Sequence, residues 1–159
     1  MEKKSITINF EEGKSLDSLD QQYLQLVNET MAFASNAYAP YSQFHVSAGA
    51  LLEDGQILKG TNVENASYPA SVCAERTLLT YVTANFPKTL IKCIAVYVDK
   101  DLPTPVPPCG ICRQTLLEAE LRQEHPIMII LVSKAGKFQL FSSAKDLLPL
   151  SFDSNFLNA

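Results

Sequence analysis

Three cysteines and one glutamate carry the chemistry that this sequence offers. Cys73 and Glu75 stand two residues apart in the segment SVCAERTL, and Cys109 and Cys112 form a Cys-x-x-Cys pair in PPCGICRQ. Both segments precede helical patterns, so these side chains lie at predicted helix starts. Zinc binds thiolates readily, and catalytic zinc sites have three protein ligands and leave the fourth position to water. The three cysteines therefore predict an open zinc site.

Glu75 fits the role of a proton carrier beside such a site. A carboxylate two residues beyond a ligand can take a proton from a zinc-bound water and pass it to a substrate. Arg76 follows Glu75 and Arg113 follows Cys112, so both arginines are predicted to donate hydrogen bonds to the thiolates from outside the ligand set. The positive ends of the two helix dipoles favour the same negative charge.

Two other interpretations of the cysteines were weighed against a catalytic site. A Cys-x-x-Cys pair is also typical of redox-active dithiols, but that interpretation leaves Cys73 and Glu75 without a role. A structural zinc needs a fourth ligand. Cys93 lies in an apolar strand pattern, where cysteine packs as a small hydrophobic side chain. Neither His45 nor His125 has a ligand's spacing to a cysteine.

The composition is typical of a folded globular domain. The chain has 159 residues, 47% hydrophobic and 19% charged, a length that suits one domain with its own core. The net charge of -4 disfavours a nucleic-acid partner, because phosphate backbones attract basic surfaces. No apolar run approaches the roughly 20 residues of a membrane span, and the first residues lack the apolar segment of a secretory signal. We therefore expect a cytoplasmic protein with reduced cysteines and no membrane partner.

The elements predicted around the cysteines alternate between helices and strands. A helical pattern covers residues 15–38, with Ser15 or Ser18 as its cap, and further helices are predicted over 73–85, 110–123 and 143–148. Strands are predicted in a hairpin with its turn at Asp54-Gly55, at 91–98 and 127–132, at a sheet edge over 137–141, and as a strand or extended arm over 5–10. This order predicts an α/β fold with helices on both faces of one partly parallel sheet.

Together the motifs resemble a known family. A ligand-x-Glu followed by Pro-Cys-x-x-Cys is the signature of zinc deaminases. With cysteine as the first ligand and with the segments AYAPYSQFHV, GTNVENASYPASVCAERT and DLLPLSF, the chain resembles the small homotetrameric cytidine deaminases. The resemblance implies a zinc cofactor, a three-layer α/β/α sandwich with a five-stranded mixed sheet, and a homotetramer whose active sites are shared between subunits. It divides the chain into an N-terminal extension, 1–14, and one deaminase-like domain, 15–159.

The same resemblance implies roles for residues outside the cysteine motifs. Asn62 and Glu64 match the pair that binds the ribose hydroxyls, and amide and carboxylate groups are suited to that contact. Phe44 matches the aromatic residue that packs on the pyrimidine ring. Tyr68 and Phe152 match positions that line sites formed with neighbouring subunits. These five residues are therefore candidate substrate-binding residues.

The implied activity is hydrolytic deamination of cytidine and 2′-deoxycytidine to uridine and 2′-deoxyuridine with release of ammonia, a step of pyrimidine salvage. The backbone N–H of Ala74 would meet the base carbonyl, and Glu75 would carry a proton to the ring nitrogen and then to the departing amine. Blasticidin S deaminases share the three cysteines, but the NVENASY loop favours a ribose-containing substrate. A nucleic-acid-editing enzyme is disfavoured by the acidic balance. In a non-catalytic zinc module, Glu75 would only stabilise a helix start.

Overall fold

A computed structural model describes residues 1–157 as six strands in one mixed sheet with three α-helices packed on it. The strands are β1 (Glu11–Gly13), β2 (Val46–Leu52), β3 (Ile57–Thr61), β4 (Ile91–Val98), β5 (Met128–Val132) and β6 (Phe138–Phe141), and the helices are α1 (Gln21–Phe33), α2 (Ala74–Asn85) and α3 (Gly110–Gln123). Their order in the sheet is β1-β6-β5-β4-β2-β3. The neighbours β4 and β5 are parallel, and the other pairs are antiparallel.

Strand β4 shows why the helices lie on both faces of the sheet. Successive side chains of a strand point to opposite faces. Ile94 and Val96 belong to one buried cluster with residues of α2 and α3, whereas Cys93 and Ala95 belong to a second cluster with residues of α1. The predicted three-layer α/β/α sandwich is confirmed. None of the helices within residues 1–157 has the length and hydrophobicity of a membrane span.

The sheet has one strand more than the five that the resemblance implies. The extra strand, β1, lies within the predicted N-terminal extension and pairs with β6, where Gln139 Nε2 donates to Glu12 Oε1 at 2.7 Å. The ring of Phe10 stacks on Phe141 with centroids 5.1 Å apart. Strand β6 is therefore covered and is not the predicted edge. The strand or arm predicted over 5–10 forms no strand, because pairing with β6 begins only at the residue that follows it.

The helix predicted over residues 15–38 consists of three pieces. A 3₁₀ turn, Leu16–Ser18, is capped by the side chain of Ser15, and α1 begins only after Asp20. A second 3₁₀ turn, Ala34–Asn36, follows α1. Local hydrogen bonds explain the first break, because the Ser18 hydroxyl donates to the Ser15 carbonyl at 2.9 Å and such bonds compete with a continuous helix.

The predicted starts of the two helices at the cysteine motifs agree with the structure within one residue. Helices α2 and α3 and strand β4 occupy the predicted segments, and β2 and β3 form the predicted hairpin. The short helix predicted over 143–148 is a 3₁₀ helix, Ala144–Leu147. The two helices that begin at the cysteine motifs are thus present in the fold.

Gly60 allows α2 to lie directly on the sheet. A Cβ atom at this position would stand 2.7 Å from the backbone nitrogen of Leu78 and 3.0 Å from the carbonyl oxygen of Ala74. Both neighbours are helix backbone, which cannot rotate away as a side chain can. The missing side chain therefore sets the distance between β3 and the first turns of α2, where Cys73 and Glu75 stand.

We expect Gly60→Ala to destabilise the protein by about 1–3 kcal/mol, the usual cost of overpacking, and to lower its zinc content because α2 is displaced. Urea unfolding and metal analysis of the purified variant measure both effects. Gly110→Ala is the matched control, because a Cβ there would meet no atom within 4 Å. Wild-type stability of Gly60→Ala would contradict the close packing.

Candidate active site

Helices α2 and α3 begin at one cavity of about 530 Å³. Cys73 precedes the first residue of α2, Cys109 precedes the first residue of α3, and Cys112 lies in the first turn of α3. All three cysteines line the cavity, together with Val96 and Val98 of β4. The cavity therefore lies at the carboxyl end of β4, where α/β sheets commonly bind their ligands.

The three thiols form a cluster that fits one metal ion. Their sulfur atoms lie within 4.8 Å of one another. Thiolates bound at 2.3 Å to a tetrahedral zinc stand about 3.8 Å apart, so small side-chain rotations bring the three sulfurs to a common ion. Among the described residues, no fourth histidine, cysteine or carboxylate joins this cluster. One tetrahedral position is thus left for water or substrate.

The thiols differ in how readily they ionise. Burial opposes ionisation of Cys109, but hydrogen bonds from the backbone N–H groups of Cys112 and Ile111 and from the neighbouring thiols together outweigh it and lower the pKa of this thiol. Burial raises the pKa of Cys73, and burial together with the charge of Glu75 raises the pKa of Cys112. Three thiolates this close repel one another, so a bound divalent cation is what allows all three to ionise.

Glu75 is a buried carboxyl group in the cavity wall. Its side chain is 4% exposed and lies in the first turn of α2. Burial raises the pKa of Glu75, an effect that hydrogen bonds from its own backbone N–H and from Cys112 partly offset. A carboxyl group with a raised pKa holds a proton more readily than an exposed one, which suits a group that must both accept and donate a proton. Glu75 therefore has the environment of a proton carrier.

Four of the predicted substrate-binding residues, Phe44, Asn62, Glu64 and Ala74, line the same cavity. Ala74 is the first residue of α2, so its N–H has no partner within the helix. Asn62 Oδ1 accepts the Val46 N–H at 2.8 Å, and Asn62 Nδ2 donates to the Phe44 carbonyl at 2.8 Å. The amide of Asn62 keeps one N–H and one lone pair for a ligand.

The Glu64 carboxylate holds the loop that leads to β2. Glu64 Oε2 accepts the backbone N–H groups of Tyr41 and Ser42 at 2.8 and 3.2 Å, and Glu64 Oε1 accepts the Ser42 hydroxyl. The Ser42 hydroxyl, followed by these two N–H groups, lowers the pKa of Glu64. Of about four lone-pair sites on a carboxylate, these contacts leave one on Oε1.

Tyr68 and Phe152 do not line this cavity. Their side chains are 72% and 58% exposed. Tyr68 packs edge-on against Tyr41 with ring centroids 6.1 Å apart, and Phe152 stacks on Phe156 at 6.0 Å. Gln114 Nε2 also donates to the Phe152 carbonyl at 2.9 Å. The substrate-binding roles of these two residues therefore stay a prediction.

Arg113 stabilises the segment that leads to Cys109. Its Nε donates to the carbonyl of Pro108 at 2.8 Å, and its Nη1 donates to the carbonyl of Leu147 at 3.1 Å. Pro108 is the residue before Cys109, and Leu147 is the last residue of the 3₁₀ helix Ala144–Leu147. Arg113 therefore connects the start of the Cys-x-x-Cys segment to that 3₁₀ helix. Within residues 1–157, neither Arg113 nor Arg76 donates a hydrogen bond to sulfur, and their thiolate contacts stay a prediction.

Ser42 is a polar residue of the cavity wall that the sequence does not single out. It lines the cavity and contacts Glu64 through both its hydroxyl and its backbone N–H. Its position in AYAPYSQFHV was visible, but a serine in a proline-containing loop is typical of any turn. Only the fold brings this loop to the residues that follow β3.

Three thiols with one open position and a buried carboxyl at two helix N-termini define a thiolate-ligated zinc hydrolase. Residues 19–125 match the family model described as the cytidine and deoxycytidylate deaminase zinc-binding region. The chain is 41% identical over 100 residues to the cytidine deaminase of Halalkalibacterium halodurans, a match that covers 63% of this chain and 72% of that protein.

Solved structures show the same likeness. The crystal structure of cytidine deaminase from Burkholderia pseudomallei aligns with a TM-score of 0.71 and 37% identity, over 80% of this chain and 97% of that one. The enzyme from Mycobacterium tuberculosis aligns with a TM-score of 0.65 and 30% identity, over 84% and 99% of the two chains. The chain belongs to the cytidine and deoxycytidylate deaminase family. It is a zinc-dependent hydrolase.

We expect Cys112→Ser to bind zinc at least about 100-fold more weakly than the unchanged protein. Losing a residue that only hydrogen-bonds to a metal ligand lowers metal affinity about 10–100-fold, and losing a ligand itself should cost more. Competition with a chromophoric chelator measures the affinity. Cys93→Ala serves as the control, since Cys93 is buried in β4 away from the cluster. Equal zinc affinity of the two variants would contradict the assignment of the ligands.

Proposed function

We propose that this chain hydrolyses the amino group of cytidine and 2′-deoxycytidine, giving uridine or 2′-deoxyuridine and ammonia, as a step of pyrimidine salvage. The observation that carries the proposal is a buried Glu75 beside three clustered thiols, in a cavity whose wall also holds Asn62 and Glu64. The relatives named above are cytidine deaminases, and the substrate is inferred from them.

The groups left free in the cavity suit a nucleoside. Asn62 and Glu64 offer one donor and two acceptors, which a sugar hydroxyl can use for both of its hydrogen bonds. Phe44 offers an aromatic surface for the base, and the N–H of Ala74 offers a donor for the base carbonyl. Because one sugar hydroxyl satisfies the free lone pair of Glu64, the proposal includes both ribose and deoxyribose substrates.

Cys73, Cys109 and Cys112 would hold the zinc, with Arg76 and Arg113 supporting them. The bound ion supplies the chemistry that makes a water molecule acidic near neutral pH. Glu75 accepts the proton of the attacking water and delivers it to the ring nitrogen, which makes the neighbouring carbon electrophilic. Once the hydroxide has added to that carbon, Glu75 takes the proton of the new hydroxyl group and passes it to the amine, so that the carbon–nitrogen bond breaks and ammonia leaves. Its buried position keeps the carboxyl group able to carry protons in both directions.

We expect Glu75→Gln to lower the rate of ammonia release from cytidine by about 10²–10⁴-fold, the usual contribution of a general acid–base. The variant should still bind one zinc, because the three sulfurs are unchanged. A coupled assay for ammonia measures the rate, and the same substitution at the exposed Glu118 of α3 is the matched control.

The identity of the substrate is tested in the same assay with free cytosine beside cytidine. Release from cytidine but not from cytosine supports sugar recognition by Asn62 and Glu64. A zinc-loaded protein that releases ammonia from neither compound would refute the proposed function, and near-normal activity of Glu75→Gln would refute the role of Glu75.

We also propose that four chains assemble and share their active sites. Exposed apolar side chains cluster at the C-terminus and beside the cavity loops, and such surfaces commonly mark interfaces. They are Tyr41, Tyr68, Leu150, Phe152 and Phe156. Tyr68 and Phe152 lie outside the cavity of their own chain. In the proposed assembly, each would line the active site of a neighbouring subunit.

We expect light scattering to give a mass of about four 17.5 kDa chains, the closed assembly that symmetric interfaces favour. Phe152→Asp should shift the mass toward smaller species, because a charge in an apolar interface is costly. A single-chain mass for the unchanged protein at every concentration would contradict the assembly.

We also propose the domain boundaries of the chain and the cellular compartment in which it acts. We take 15–159 as the deaminase-like domain, since the family match begins at residue 19, and 1–14 as an extension that adds β1 to the sheet. A cluster of free thiols works only where disulfides do not form, which supports action in the reducing cytoplasm.

A further inference from the structure

The loop over residues 40–44 carries two residues of the cavity wall, Ser42 and Phe44. Between them stands Gln43, whose φ of 53° lies in the left-handed region that few non-glycine residues adopt. The N–H of Gln43 donates to the Ala39 carbonyl at 3.0 Å. The loop is thus a tight turn whose shape depends on the hydrogen bonds around it.

The Ser42 hydroxyl bridges this turn to the carboxylate of Glu64. It donates to Glu64 Oε1 and accepts the backbone N–H of Phe44 at 3.0 Å. The backbone N–H of Ser42 donates to Glu64 Oε2 at 3.2 Å. One serine therefore connects both oxygens of the carboxylate to the residue that carries the aromatic ring.

Both peptide groups of Phe44 are tied to the two proposed sugar-binding residues. Its N–H reaches Glu64 through the Ser42 hydroxyl, and its carbonyl accepts Asn62 Nδ2 directly at 2.8 Å. The position of the aromatic ring is therefore set by the same side chains that have free hydrogen-bonding groups for a sugar. No other contact described for the loop links Phe44 to Glu64.

We propose that Ser42 is a positioning residue that couples sugar binding at Glu64 to base packing at Phe44. The inference rests on the proposed function, because it takes Glu64 as the sugar contact and Phe44 as the base contact. The Ser42 hydroxyl touches neither the cysteines nor Glu75. Its loss weakens substrate binding and transition-state binding alike, which raises KM and leaves kcat unchanged.

The first test compares Ser42→Ala with Ser42→Thr. We expect Ser42→Ala to raise KM for cytidine about tenfold with kcat within about twofold, as for one lost hydrogen bond to a charged group. Ser42→Thr keeps the hydroxyl and should restore KM. Ser35→Ala is the matched control, because the exposed Ser35 hydroxyl donates to the Ala32 carbonyl at 3.3 Å and makes no hydrogen bond to Glu64 or Phe44.

The second test is a double-mutant cycle with Glu64→Ala. If the serine acts through the carboxylate, Ser42→Ala adds no more than about a twofold rise in KM once Glu64 is absent, since interacting residues are not additive. Melting temperature and zinc content of each variant show whether it folds. A folded, zinc-loaded Ser42→Ala protein with unchanged KM overturns the inference, as does a full additive effect in the Glu64→Ala background.

The outcomes also separate this inference from the proposed function. If the unchanged protein releases no ammonia from cytidine, the proposed function fails and the inference fails with it. If cytidine is deaminated and Glu64→Ala raises KM while Ser42→Ala does not, the function stands and only the coupling is lost. A loss confined to thermal stability in Ser42→Ala would assign the hydroxyl a purely structural role, and a loss confined to kcat would assign it a contact made only in the transition state; either result overturns the coupling.

Discussion

The mutual repulsion of three thiolates at two helix starts is the constraint on which the site depends. Cys73, Cys109 and Cys112 place their sulfurs within 4.8 Å, and burial raises the pKa of two of them. Backbone N–H groups at the start of α3 lower the pKa of the third, but only a cation can stabilise three thiolates together. The fold must therefore hold the starts of α2 and α3 at a fixed distance from each other. Gly60, which has no side chain, lets α2 pack directly on β3. Arg113 connects the start of α3 to the carbonyl of Leu147.

The rest of the cavity follows from a second constraint, which is that the polar groups in its wall need partners when no ligand is bound. Asn62 and Glu64 meet that need by holding the loop that carries Phe44. The same hydrogen bonds leave only a few groups free, and these suit one sugar hydroxyl. In the proposed function, loop position and substrate recognition depend on the same two side chains, and Ser42 connects them.

Much of this arrangement could be predicted from sequence because its signals are local. The helix starts at the cysteines, the apolar strand β4 and the hairpin before Asn62 each follow from short patterns, and the ligand spacing follows from the geometry of one helix turn. Strand β1 could not be predicted, since a three-residue strand forms only where β6 offers a partner. The contact of Ser42 with Glu64 joins residues 22 positions apart, and no periodicity in the chain indicates it. The substrate-binding roles predicted for Tyr68 and Phe152 rest on the family resemblance alone, because both rings are exposed in a single chain.

The central claim is an open zinc site with three sulfur ligands, and X-ray absorption at the zinc edge of the loaded protein tests it most directly. We expect three sulfur neighbours at about 2.3 Å and one lighter oxygen neighbour at about 2.0–2.2 Å. A shell of four sulfurs would contradict it, because a closed site has no position for water and Glu75 would have no proton to carry.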